Sequence, residues 1–224
     1  MMEPLQITIF LSEPMVLKDL SARLMTLDSL LAAARYQETG DIAAGDSLPL
    51  ARLTHPNGQW VYHASTWRAL TQLNIEPLSI YKRTSEVALD YYGLSKTWDR
   101  GRGPTKDHEL TYYQFSTPAI RFYCVGVHEE IHALLNRLHF IGTKISLGKG
   151  RIRHIEILPP DHDRSLHDGG FVTRPIPIPL AGDWRGVQQL VGYKAPYWHP
   201  DNQTLCLVPS VGPLIEEEEP AYAT

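Results

Sequence analysis

The reading of the chain turns on residues 129–157. Glu129-Glu130-Ile131-His132-Ala133-Leu134-Leu135-Asn136-Arg137-Leu138 is followed by Gly142-Thr143-Lys144-Ile145-Ser146-Leu147-Gly148-Lys149-Gly150 and then by Arg151-Ile152-Arg153-His154-Ile155-Glu156-Ile157. Ile131, Leu134, Leu135 and Leu138 fall on one stripe of a 3.6-residue period, and two acids occupy the first turn, which predicts an amphipathic helix. Gly142 is placed to end it. The β-branched run after the loop predicts a strand. Three glycines in nine residues give a backbone free to take positive φ and to approach a ligand closely. Lys144, Lys149, Arg151 and Arg153 add the charge that draws a polyanion, so the loop's amides and cations are suited to phosphates. The same residues also describe a glycine stop followed by a solvated basic strand edge. The pattern is neither G-x-x-x-x-G-K-[ST] nor G-x-G-x-x-G after a strand, which argues against a P-loop or Rossmann nucleotide site.

Working outward, Ile120-Arg121-Phe122-Tyr123-Cys124-Val125 predicts a strand just before the helix, and Leu5-Gln6-Ile7-Thr8-Ile9-Phe10-Leu11 predicts one near the start. Leu27, Leu30, Leu31 and Ala34 predict a first helix opened by Thr26, with Asp28 in its first turn. Gln59-Trp60-Val61-Tyr62-His63 has strand composition after an Asn-Gly turn. Strand, helix, strand, then strand, helix, strand is the order of a split βαβ unit. The expected fold class is therefore α+β, with a ferredoxin-like βαββαβ core over residues 1–158. An insertion is expected at about residues 81–113, where periodicity dissolves. A β-rich C-terminal extension over 159–213 should pack on the same domain, including Thr204-Leu205-Cys206-Leu207-Val208. Residues 214–224, with Glu216 to Glu219 in one run, read as an acidic flexible tail.

With 224 residues, 43% of them hydrophobic and 21% charged, the chain can bury a core and is not disordered as a whole. No stretch approaches the roughly 20 apolar residues of a membrane span, and the N-terminus lacks a cationic leader, so a cytoplasmic protein without membrane contact is expected. Cys124 and Cys206 form neither a disulfide framework nor a four-thiolate site and are expected as small core residues. The net charge of −4 conceals asymmetry: residues 81–154 carry twelve Lys and Arg against seven Asp and Glu, between two acidic flanks. Such a middle presents a locally basic surface to nucleic acid. The insertion adds Lys82, Arg83, Lys96, Arg100, Arg102 and Lys106 among Tyr81, Tyr91, Tyr92, Trp98, Tyr112 and Tyr113, the mixture that single strands favour because cations follow phosphates and rings stack on bases. A surface excursion whose rings fold back on the core has the same composition.

These features resemble the RAMP superfamily of CRISPR-associated RNA-binding proteins, on the helix that runs through a G-x-x-x-x-x-G-x-G loop into a strand. Pro4-Leu5-Gln6-Ile7-Thr8, Leu27-Asp28-Ser29-Leu30-Leu31-Ala32, Ile141-Gly142-Thr143-Lys144, Leu147-Gly148-Lys149-Gly150-Arg151 and Arg174-Pro175-Ile176-Pro177 extend the likeness to a type IV CRISPR effector subunit similar to the Cas-five family. The resemblance implies a non-catalytic RNA-binding subunit that holds the 5′ handle of the guide RNA (crRNA) and caps a filament of backbone subunits. It implies Gly142, Lys144, Gly148, Lys149, Gly150 and Arg151 as RNA contacts, and the insertion as a thumb over the RNA. The implied partners are a Cas-seven-like backbone subunit, a Cas-eight-like large subunit and target DNA in the assembled complex, with no cofactor.

Two other chemistries are legible. RAMP relatives that process guide RNA use a ribose 2′-hydroxyl as nucleophile, which calls for a histidine base, and His63, His139 and His154 are the candidates. His128-Glu129-Glu130-Ile131-His132 is a literal H-E-x-x-H, the pattern of zinc hydrolases, with Glu156 as a distant third ligand. Leu135 stands in the glycine place of the extended metzincin pattern and His139 misses its histidine place by one, so no metal site is expected there.

Overall fold

The computed structural model describes residues 1–18, 24–82, 91, 107–210 and 215–216. In chain order its elements are β1 (Met2–Leu11), β2 (Met15–Leu17), α1 (Leu27–Thr39), β3 (Arg52–Thr54), β4 (Trp60–Tyr62), β5 (Arg68–Leu70), β6 (Asn74–Lys82), β7 (His108–Ser116), β8 (Ala119–Val127), α2 (His128–Leu135), β9 (Ile152–Leu158), β10 (His167–Asp168), β11 (Phe171–Val172), β12 (Ile176–Pro177), α3 (Ile178–Ala181), β13 (Val187–Gly192), β14 (Gln203–Val208) and β15 (Ile215–Glu216). The protein is a strand-rich mixed α/β structure whose sheets are mainly antiparallel.

The principal sheet has the order β15-β5-β8-β1-β9. β1 pairs antiparallel with β8 on one side and β9 on the other, and β5 pairs antiparallel with β8. Strand alternation sorts the side chains into two faces. Leu5, Ile7, Ile9 and Leu11 of β1 lie opposite Cys124, Phe122 and Ile120 of β8 and Ile157, Ile155 and Ile152 of β9, and join Leu27, Leu30, Leu31, Ala34, Ile131, Leu134 and Leu135 of the two helices in one core. The other face carries Gln6, Thr8 and Phe10, with Tyr123 and Arg121 of β8 and Glu156 and His154 of β9 as their partners.

The predicted stripes of both helices are the buried ones. α1 ends in Gly40, whose left-handed φ of 69° lets its amide reach the Tyr36 carbonyl. α2 is shorter than its stripe. After Leu135 the amides of Arg137 and Leu138 bond three residues back instead of four, tightening the chain into a turn. Gly142 therefore does not stop the helix; glycine is required there because its φ is 92° and a Cβ would lie 2.5 Å from the Val16 carbonyl oxygen of β2.

Three further expectations are corrected. Residues 60–62 form a hairpin with β3 and do not enter the principal sheet, where the strand between α1 and β8 is β5. Residues 81–113 are not irregular throughout, since β6 and β7 pair over nine consecutive positions and flank the insertion as a two-stranded ribbon, held at its base by β2. Ile215 and Glu216 add a parallel strand beside β5, so the acidic run expected outside the fold begins on the sheet.

The C-terminal part builds the sheet β12-β14-β13 and a second core from Leu166, Val172, Ile176, Leu180, Ala181, Tyr193, Cys206 and Val208, which Val61 joins. It is fastened to α1 by Arg174 and Asp28, both fully buried. The guanidinium donates to Asp28 Oδ1 (3.2 Å), to the carbonyls of Tyr62, Ala64 (3.2 Å), Tyr193 (2.8 Å) and Pro175 (3.3 Å), and to the Tyr197 hydroxyl (3.0 Å), which itself donates to Asp28 Oδ2 (2.7 Å). Asp28, placed in a first turn by its sequence, is thus a buried counter-ion. Cys124 and Cys206 are both buried free thiols, and burial pushes the Cys206 pKa up to about 12.

A cationic glycine loop as candidate nucleic-acid interface

The glycine loop is an outward projection closed at its base. Ile141 N–H donates to the Gly150 carbonyl (2.8 Å), Gly150 N–H to Pro14 (2.9 Å) and Thr143 N–H to Val16 (2.7 Å). A short 3₁₀ turn at Ile145–Leu147 forms the tip, between Lys144 and Gly148, both in the left-handed region. Ile145 and Leu147 are 52% and 59% exposed there. The glycines divide into two kinds. At Gly150 a Cβ would collide with the Ile141 carbonyl, while at Gly148 it would meet open space and only the φ of 76° resists it. Because the amides of Thr143, Leu147, Gly148 and Gly150 are committed to backbone carbonyls, the loop is a preformed turn and its side chains lead any contact.

Those side chains meet the insertion ribbon. Lys144 Nζ lies 4.3 Å from the Tyr112 ring centroid, and Lys149 Nζ donates to Gln114 Oε1 at 2.9 Å. Both partners belong to β7 and neither carries a charge. Arg151 and Arg153 are exposed at the start of β9. Among the described residues no carboxylate lies within 4.0 Å of any of the four cations, so their charge is uncompensated. The structure thus brings Lys144 and Lys149 of the loop against the arm of the insertion, with Gly142, Gly148 and Gly150 shaping the loop and Arg151 and Arg153 following it into β9. Lys82 is the last residue of β6; Arg83, Arg100 and Arg102 lie outside the described residues.

The remaining candidates separate. His63 Nδ1 sits 3.2 Å from Ser165 Oγ and 3.8 Å from Asp163 Oδ2. Burial pushes the Asp163 carboxyl up, but hydrogen bonds from His63 and Ser165 outweigh it and hold its pKa at about 2. Ser165 is fully buried. His139 is exposed in the turn after α2, and His154 stacks on Phe10. In the H-E-x-x-H stretch the His128 and His132 rings stand parallel, 6.2 Å apart, His128 meets Glu129, and His132 meets Asn136. Among the described residues no third ligand joins them; Glu156 lies on the face of the sheet away from α2. On that face the cations Arg68 and Arg164 meet the Asp168 carboxylate at 3.2 and 3.9 Å, which distinguishes them from the loop.

Fold and site together define a mixed α/β protein with an uncompensated cationic surface, a preformed glycine loop braced on an aromatic-bearing ribbon. The family described as CRISPR type IV associated protein Csf3 matches residues 3–209, and the chain belongs to that family. Its resemblance to type IV CRISPR-associated proteins therefore extends over residues 3–209 and not over the loop alone. A comparison with curated proteins finds no match. Among solved structures the chain is similar to a subunit in the cryo-EM structure of the type III-B Cmr-beta complex bound to cognate target RNA, at 9% identity and a TM-score of 0.39, covering 70% of this chain and 61% of that one. The chain thus spans less than two thirds of the length of that neighbour.

Proposed function

We propose that this chain is the non-catalytic RNA-binding subunit of a type IV CRISPR ribonucleoprotein, which holds the 5′ handle of the guide RNA and caps a filament of backbone subunits. The observation that carries the reading is the charge-uncompensated loop of Lys144, Lys149 and Arg151, braced by Tyr112 and Gln114. Membership of a type IV CRISPR-associated family supports it. The four antiparallel strands β5-β8-β1-β9, connected as strand, helix, strand, strand, helix, strand, are read as a ferredoxin-like βαββαβ core. In this role the mechanism is positional: base pairing reads the target sequence and the protein holds phosphates, 2′-hydroxyls and splayed bases. A backbone subunit, a large subunit and target DNA are its partners in the assembled particle, in the cytoplasm.

Changing Lys144, Lys149 and Arg151 together to Ala should reduce guide RNA retained by the purified protein. It should also flatten the plot of log affinity against log salt by about 2, from roughly 0.7 per single-strand phosphate contact. RNA held with an unchanged salt slope would overturn the assignment. A second reading, guide processing, rests on the carboxylate-held His63. Incubating the full chain with guide precursor decides it, since a cleavage product lost in His63→Ala would make the protein an endoribonuclease.

A further inference from the structure

The pairing of β1 with β9 is interrupted once. Phe10 lies opposite His154 and Leu11 opposite Ile152, so Arg153 is an extra residue on β9. Such a bulge breaks the alternation of side chains and re-aims them. Here Arg153 and His154, consecutive in sequence, are both exposed, while Ile152 and Ile155 on either side turn inward toward the core. The break is legible in the sequence, where Ile152 and Ile155 are three residues apart and Ile155 and Ile157 two.

The consequence is a cluster on the sheet face that carries neither helix. The His154 ring stacks on Phe10 at 5.7 Å between centroids and 28° between planes. The Arg153 guanidinium stands 5.9 Å from the same Phe10 ring. Arg153 has no carboxylate within 4.0 Å among the described residues, and Glu156, two positions beyond His154 on that face, lies opposite Thr8. Arg151, next to the loop, is two residues before Arg153, and its carbonyl accepts from Ser12, two residues after Phe10. The cluster therefore continues the cationic loop along the sheet edge.

We propose that the stacked Phe10–His154 pair offers its outer face as a platform for one unstacked nucleobase of single-stranded RNA, with Arg153 on the adjoining phosphate. The platform rests on the RNA-binding reading and deepens it: the loop supplies charge, and the platform supplies a planar contact that a salt-only site lacks. A ring pair with a guanidinium beside it is what a splayed base and its phosphate require, because every base has a π-face and the phosphate carries the charge. A cross-strand pair serving only the sheet edge would instead change stability and leave RNA untouched.

The test uses the full-length chain and 15-nucleotide RNAs of adenosine carrying one 2-aminopurine, placed at each position in turn. The wild-type protein should quench the fluorophore at one or two positions. Phe10→Leu and His154→Ala should each abolish that quench and weaken binding about tenfold, the lower part of the range for one lost stack. Arg153→Ala should keep part of the quench and lower the salt slope by about 0.7. The loop variant with Lys144, Lys149 and Arg151 replaced should bind weakly yet quench at saturation. If Phe10→Leu fails to fold, the exposed His154→Ala decides the question alone. Wild-type binding with quench and affinity unaltered in folded His154→Ala would overturn the platform and leave the loop standing. A wild-type chain that retains no oligonucleotide at low salt would overturn the RNA reading itself.

Discussion

Two groups of arginines in this protein have the same chemistry and opposite surroundings. Arg174 is sealed in the interior with every direction of its guanidinium met by an oxygen, whereas Arg151 and Arg153 stand on the surface with no carboxylate beside them among the described residues. A guanidinium whose donors are all used by its own chain is a fastener; one whose donors face water is available to an external anion. The contrast explains why counting cations in the sequence overstates the interface. Arg68 and Arg164 are as basic as Arg151, but Asp168 meets both of them.

The largest effect should come from breaking the interior member. Arg174→Ala leaves the Asp28 carboxyl buried without its counter-ion, which costs about 3–5 kcal/mol, a large part of the stability of a domain. Chemical denaturation of the variant should show that loss, and replacing the pair by Met and Leu should recover only part of it, because the carbonyls of Tyr62, Ala64 and Tyr193 stay without their donor. If Arg174→Ala were as stable as wild type, the division between fastening and ligand-facing arginines would fail.

The glycines sharpen the same comparison on the backbone. Gly150→Ala drives a Cβ into the Ile141 carbonyl at a φ of 69°, and about 3 kcal/mol of destabilisation is expected. Gly148→Ala meets nothing and should cost only the left-handed strain, about 1 kcal/mol. Equal losses in thermal unfolding would mean that the loop base is looser than its hydrogen bonds indicate.

Much of the principal sheet could be read from the chain because its signals are local. β1, β8 and the helices α1 and α2 show their periods within ten residues or so. β5 does not, because Arg68 is a buried cation whose partner Asp168 is 100 residues away and no composition rule anticipates the pair. β6 is obscured by Pro77, which is tolerated because β6 is the edge of the sheet β2-β7-β6. The cationic loop was legible as a cluster, but the reason for two of its glycines was not, since the atoms they avoid belong to Val16 and Ile141. The partners that separate Arg174 from Arg151 likewise come from across the chain. The bulge at Arg153 was visible as a slip from a spacing of two to three between isoleucines, a signal overshadowed by the glycines just before it.

The smallest effect concerns His63 and Asp163, which stand between the two extremes: a partly exposed carboxylate whose hydrogen-bond partners come from its own chain. The Asp163 pKa is held at about 2, below the roughly 3.9 of an unfolded chain, so its contribution is present above pH 4 and is lost as pH falls toward 2. Screening at so exposed a carboxylate limits it to about 1 kcal/mol. Asp163→Asn should therefore lower stability by about that amount at neutral pH and match wild type near pH 2. Its stability curve should be flatter between these limits, because the amide neither gains nor loses a proton there. Unfolding free energies of the two proteins measured from pH 2 to pH 7 test this directly. If the difference between them does not change with pH, the interaction that depresses Asp163 is absent, and His63 has no oriented carboxylate on which guide processing could depend.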